Sequence, residues 1–220
     1  MSSLKYKAAL WDMDGTLFYT KRGIVHAVDA ASVEAGLPLV DRDKVDMFIG
    51  PPIQMGFQKY YDLPMEEAIR VANLFRKAYR EKGYVLECDP YEGVIESLKE
   101  LKKAGVKLAV ATLKKQDMAE RICEKFGLDT VFDCIYGSDA LDNLKKHDII
   151  RLCCEDMGIE TSEAVMIGDT IFDAEGAEKA GSPFLAVTYG FGFHEPGDIE
   201  GYKAIGAAAT ASEIPGFFAI

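Results

Sequence analysis

A chain of 220 residues, 49% hydrophobic and 28% charged, has the composition of an ordinary globular protein, long enough for one large domain or a core with an insert. Its formal net charge of −11 argues against nucleic acid or an anionic membrane as the main partner, while leaving room for a small anionic substrate held by a metal and a few lysines. No apolar run approaches membrane-spanning length, Asp12 interrupts the N-terminal one, and the five cysteines show no Cys-x-x-Cys spacing, so reduced thiols in a cytoplasmic protein are expected.

The first apolar run, Ala8-Ala9-Leu10-Trp11, ends abruptly in Asp12-Met13-Asp14-Gly15-Thr16-Leu17. Residues two apart in an extended chain point the same way, so Asp12 and Asp14 project together from the strand end unless Gly15 turns the second aside. Two like charges there are unfavourable unless a cation or a partner offsets them, and a hard divalent ion such as Mg²⁺ is the natural candidate. Gly15 permits a tight turn close to a ligand, and Thr16 steadies it.

After Leu17 the pattern becomes helical. Ile24, Val28, Ala31 and Ala35 recur at helical spacing until Gly36-Leu37-Pro38. A short helix is expected over 43–49 before Gly50-Pro51-Pro52, another over 53–60, and a fourth from Pro64 with Ile69, Ala72, Phe75 and Tyr79 on one face. With no strand among them, these segments predict a separate helical cap over residues 18–85, inserted into a core of 1–17 and 86–220. Phe57, Tyr60 and Tyr61 are expected in the cap interior, and Trp11 in the core.

From Cys88 onward helix and strand alternate. Val94, Leu98 and Leu101 mark a helix, and 106–111 reads as a buried strand ending at Thr112. A helix through Met118, Ile122 and Phe126 precedes a weak strand over 132–136 and a helix over 146–157. Strand 164–167 ends at Gly168-Asp169; a helix through 174–180, strand 184–187 and a short strand near 204–205 follow. Such alternation predicts a doubly wound α/β core, with a parallel sheet and helices on both faces. Ligands of open α/β sheets gather beyond the carboxyl ends of the strands. Asp12, Asp14, Thr112 and Asp169 stand at such ends, and the pair Lys145-Lys146 opens a helix nearby in sequence. Carboxylates for a metal, a hydroxyl and an ammonium are what binding and polarising a phosphoryl group requires.

Asp12-x-Asp14-Gly15-Thr16-Leu17, Thr112, Lys146 followed by His147-Asp148-Ile149-Ile150, and Gly168-Asp169-x-x-x-Asp173 closely resemble, in this order, the four motifs of the haloacid-dehalogenase superfamily of phosphatases. The resemblance implies a Rossmann-like core with an inserted all-helical cap, and Mg²⁺-dependent hydrolysis of a phosphomonoester through an aspartyl phosphate. Under it Asp12 attacks phosphorus and Asp14 is the general acid and base, a role that asks for a raised pKa beside the first carboxylate. Thr112 and Lys146 (or Lys145 in its place) bind the phosphate beside Gly15 and Thr16. Asp12, Asp14, Asp169 and Asp173 supply the metal site.

The helical insert resembles the cap of the phosphoglycolate-phosphatase-like branch. Phe48-Ile49-Gly50-Pro51-Pro52 and Thr188-Tyr189-Gly190-Phe191-Gly192 also resemble segments of bacterial 5′-nucleotidase-like relatives. Departures are Leu113, where relatives often carry a small polar residue, and the loop from Ser138 to Lys146, which lacks an Asp-Gly-Thr-Arg run. Lys21-Arg22 stand where many relatives carry a proline or an acid; facing the site, they would pair with a substrate carboxylate, as phosphoglycolate requires. The expected partner is a small phosphorylated metabolite under a closing cap. A 5′-nucleotidase-like phosphatase and a β-phosphoglucomutase-like phosphotransferase share the motifs and stand as alternatives. A dehalogenase has no need of Asp14, and a phospho-aspartyl signalling module has no use for so large an insert.

Overall fold

β1 (Ala8–Trp11) is a four-residue strand with every side chain fully buried, so both of its faces must be covered. In the computed structural model, which describes residues 4–140 and 143–218, it is a central strand of the sheet. Two-residue strands β2 (Phe18–Tyr19) and β3 (Asp89–Pro90) form a ladder of their own. The large sheet adds β4 (Lys107–Lys115), β5 (Cys134–Ser138), β6 (Ala164–Gly168), β7 (Phe184–Val187) and β8 (Ala204–Ala208). Its order is β5-β4-β1-β6-β7-β8, with every neighbouring pair parallel. The chain builds outward from β1 on one side, then returns to build on the other. The strand order therefore reverses at β1, where doubly wound sheets open a crevice at the carboxyl ends.

Strand alternation splits the β1 side chains between the two faces. On one face Ala8 and Leu10 join Ala109, Ala111, Ala164 and Met166 beneath two helices. Those helices are α6 (Lys146–Met157), through Ile149, Ile150, Cys153, Cys154 and Met157, and α7 (Ile171–Ala180), through Ala174 and Ala177. Small alanines on both sides bring α7 close to the strands.

The chain divides into two compact units, Met1–Phe18 with Pro90–Ile220 and Tyr19–Asp89. The second unit holds α1 (Lys21–Glu34), α2 (Ile53–Tyr61) and α3 (Met65–Glu81). Its interior is aromatic: Phe57, fully buried, lies 5.1 Å from the ring of Phe48 and 6.4 Å from that of Phe75. The first unit also carries α4 (Val94–Lys103) and α5 (Gln116–Lys125).

β2 falls in a stretch expected to hold no strand, and three further differences from the sequence expectation have a plain physical cause. The helix expected over 43–49 is a 3₁₀ helix, Arg42–Phe48; seven residues before a Gly-Pro-Pro break are too few to make a cooperative α-helix worthwhile. The weak strand lies at Cys134–Ser138 because the Phe132 N–H is taken by the Leu128 carbonyl in the preceding turn. β4 runs on past Thr112 to Lys115, with a register shift between Ala111 and Lys115, because pairing with Ser138 extends the strand beyond its apolar part.

Leu10→Ala is expected to destabilise the core by about 2–5 kcal/mol, since the cavity it leaves lies between strand and helices and cannot collapse freely. Val33→Ala, at a position 68% exposed in α1, should change stability by less than about 0.5 kcal/mol. Thermal melts followed by circular dichroism compare the two.

Candidate active site

The chain leaves β1 in a turn that fixes three site residues at once. The Asp12 N–H donates to the Ile167 carbonyl at 2.9 Å, carrying the β1–β6 ladder one residue past the strand. The Met13 carbonyl then accepts from the N–H groups of Leu17 (3.1 Å) and Phe18 (2.9 Å), while the Gly15 N–H donates to the Phe18 carbonyl at 3.0 Å. Gly15 sits at φ +85°, and a Cβ there would stand 2.3 Å from Asp169 Oδ2, so backbone and space both demand glycine.

Asp169, at the end of β6, is held from two sides. The Thr16 hydroxyl donates to its Oδ1 at 3.2 Å, and the N–H groups of Phe191 and Gly192 donate to its Oδ2 at 2.8 and 3.2 Å. Holding this carboxylate is thus what the glycine-aromatic segment after β7 does. Asp173 divides its oxygens. Its Oδ2 caps α7, accepting from the Thr170 N–H (3.0 Å) and hydroxyl (2.8 Å). Its Oδ1 lies 2.6 Å from Lys146 Nζ. The same ammonium donates to Asp12 Oδ1 at 2.5 Å. Lys146 reaches both because α7 carries Gly176 where a Cβ would come within 2.5 Å of the lysine's Cγ.

Asp12, Asp169 and Asp173 are all buried, with one carboxylate oxygen of each within 4.8 Å of the others. Among the described residues, these three carboxylates set against the Lys146 ammonium leave two negative charges in excess. Burial therefore pushes Asp12 up to about 7, with the charges of Asp173 and Asp14 adding to the effect and Lys146 opposing it. Asp169 is raised well above the ordinary carboxylate range, first by burial and then by Asp173 and Asp12. Burial works against the Lys146 ammonium, but Asp12 and Asp173 outweigh it and its pKa is raised. An Asp12 carboxylate that is ionised at neutral pH therefore needs a cation beside it. A divalent ion with a preference for hard oxygen donors matches both the excess charge and the donor set.

The other expected site residues are distributed as follows. The carboxylate of Asp14 lies outside the three-carboxylate group, with Oδ2 2.9 Å from Lys114 Nζ and Oδ1 buried without a hydrogen-bond partner among the described residues. Of the four side chains expected to supply a metal site, the structure groups Asp12, Asp169 and Asp173, and Asp14 pairs with Lys114 instead. Thr112 is buried at the Ala111–Lys115 register shift, its hydroxyl accepting the Lys114 N–H at 3.2 Å. A hydroxyl that accepts there keeps its proton to donate to a phosphate oxygen. Of the two adjacent lysines, Lys146 is the one whose ammonium meets Asp12 and Asp173; the Lys145 N–H is capped by Asp148 at 3.0 Å. Lys21 and Arg22 are each neutralised inside the helical unit, by Asp46 and Asp89, both at 2.7 Å.

Lys114 is the site residue that sequence reasoning missed. Its signal was strand periodicity, which puts it on the same side as Thr112, but ending the strand at Thr112 hid the relation.

A family profile described as haloacid dehalogenase-like hydrolase matches residues 9–187. The chain belongs to this family. A protein named 5′-nucleotidase from Pseudomonas aeruginosa is 34% identical over 87% of the chain and 86% of its own length. One named phosphoglycolate phosphatase from Caulobacter vibrioides is 30% identical over 82% of the chain and 78% of its own length. The crystal structure of a predicted phosphatase from Clostridium acetobutylicum superimposes with a TM-score of 0.87 at 32% identity, covering 96% of this chain and 97% of that one. These comparisons support the activity expected from sequence, that of a phosphoric monoester hydrolase.

Mg²⁺ is expected to stabilise the metal-free protein, by about 2.7 kcal/mol at a hundred times its Kd, seen as a rise in thermal midpoint. Asp169→Asn should lose that rise. Without Mg²⁺ it should unfold no earlier than wild type, because it removes one of three crowded charges while keeping an acceptor for Phe191 and Gly192.

Proposed function

We propose that this hydrolase is a Mg²⁺-dependent phosphatase that cleaves a small phosphomonoester through an aspartyl phosphate on Asp12. The observation carrying this reading is the Asp12 carboxylate at the switch point, 2.5 Å from Lys146 Nζ and grouped with Asp169 and Asp173. Asp12, Asp169 and Asp173 would hold the ion, which when bound offsets the charge of the carboxylates and of the phosphoryl oxygens. Lys146 and the Thr112 hydroxyl bind phosphate oxygens, and Lys146 also orients Asp12. Asp12 attacks phosphorus as the ester bond breaks, and Asp14 gives its proton to the leaving oxygen. Water then attacks the aspartyl phosphate, losing a proton to Asp14, and inorganic phosphate departs with Asp12 restored.

Within this chemistry the phosphoglycolate-phosphatase-like reading rests on the helical insert and on the Caulobacter relative. The 34% identity to a protein named 5′-nucleotidase favours nucleoside monophosphates as the second reading. A panel of phosphomonoesters assayed with Mg²⁺ and with excess EDTA decides between them; activity that survives EDTA would refute the metal dependence.

Asp12→Asn should reduce turnover by at least about a thousandfold, because the amide neither attacks phosphorus nor neutralises the ion. Activity within tenfold of wild type would refute the nucleophile. Lys21→Ala with Arg22→Ala should shift KM for phosphoglycolate and for a neutral ester alike, within about twofold, since each charge already has an acid partner. A KM rise confined to phosphoglycolate would show that these pairs open to read a substrate carboxylate.

A further inference from the structure

Motif spacing gives Lys114 no part in the reaction, yet its ammonium meets Asp14, with Nζ 2.9 Å from Oδ2. The lysine side chain is 5% exposed and that of Asp14 14%, so both charges are largely withdrawn from water. An ammonium and a carboxylate so placed are costly unless each compensates the other. The backbone is shaped to bring them together. β4 shifts register between Ala111 and Lys115, and within that shift the Lys114 N–H is fixed to the Thr112 hydroxyl at 3.2 Å. The pair also makes the two Asp14 oxygens unequal: Oδ2 faces the ammonium, and Oδ1 is buried with no hydrogen-bond partner among the described residues.

We infer that Lys114 is a positioning residue for Asp14: the ion pair fixes Oδ2 and so presents Oδ1 to the leaving oxygen of the phosphomonoester. This rests on the reading of Asp14 as the general acid and base. As the Asp12–phosphorus bond forms and the ester P–O bond breaks, the proton on Oδ1 passes to the leaving alkoxide. In the second step the attacking water gives a proton back to Oδ1 as its oxygen bonds phosphorus and the Asp12–phosphorus bond breaks. Lys114 neither gains nor loses a proton. Its contribution is greatest for esters whose leaving group depends on that proton, since a stable aryloxide departs with little protonation.

The test measures kcat and KM with Mg²⁺ on an alkyl phosphomonoester and on p-nitrophenyl phosphate. The enzymes are wild type, Lys114→Met, Lys114→Arg, Asp14→Asn and the Asp14→Asn/Lys114→Met double variant. Lys114→Met should lose about 10- to 100-fold in kcat on the alkyl ester and less than about fivefold on the aryl ester, with KM little changed. Lys114→Arg should recover most of the loss, and the double variant should fall no further than Asp14→Asn alone. Should Lys114→Met fail to fold, Lys114→Gln, which keeps a donor for Asp14, is read for the same contrast between esters. Equal losses on both esters, a change mainly in KM, or full additivity with Asp14→Asn would overturn the proposal, because Lys114 would then contact the phosphate itself. Contrast in Asp14→Asn without contrast in Lys114→Met rejects the positioning role alone. An Asp14→Asn enzyme fully active on the alkyl ester rejects the acid reading and the proposal together.

Discussion

Three buried carboxylates crowd together beyond the carboxyl ends of β1 and β6, two of them sharing one ammonium, and the rest of the site follows from that crowding. Like charges withdrawn from water repel strongly and are stable only when fixed donors or a cation compensate them. The fold supplies the donors in several ways. Asp169 draws on two backbone N–H groups and a threonine hydroxyl, Asp173 on the first turn of α7, and Asp12 on Lys146. These partners fix positions but do not cancel the charge, as the raised pKa values of Asp12 and Asp169 show. Two negative charges left in excess call for a cation, which is the demand the proposed Mg²⁺ would meet.

The same residues serve structure and chemistry together. Asp173 caps a helix with one oxygen and meets Lys146 with the other, so helix capping and site chemistry are two halves of one carboxylate. Lys146 begins α6, whose apolar face covers the sheet, and its stem passes α7 where Gly176 leaves room. Packing of helix on sheet therefore sets the position of the ammonium. A change far along either helix would be felt at Asp12 through this contact, because close-packed interiors transmit small displacements.

Much of this was legible in the chain itself. The apolar run into Asp12-Met13-Asp14-Gly15, the alternation of helix and strand after Cys88, and the helical periodicity between Leu17 and Gly83 are local patterns with local causes. Strand identity follows from side chains buried on both faces, and strand ends from the polar residue that interrupts each run. Asp12 and Asp169 are candidates from sequence because ligands of parallel sheets gather where strands end, and folding brings them together with Lys146 beside Asp12.

What the sequence could not express is pairing across the sheet and between distant loops. The length of β4 depends on Ser138, a partner in another strand, so Lys114 lay beyond the legible end of the element. Whether Asp14 stays beside Asp12 or turns to another partner is left open by the period-two pattern, and the partner the fold supplies is an ammonium a hundred residues away. Lys21 and Arg22 read in the sequence as candidates to pair with a substrate carboxylate; only folding brings Asp46 and Asp89 against them. Periodicity and composition report burial, which is a property of one segment. Electrostatic partnership is a property of two, and it is settled only when tertiary structure brings them together.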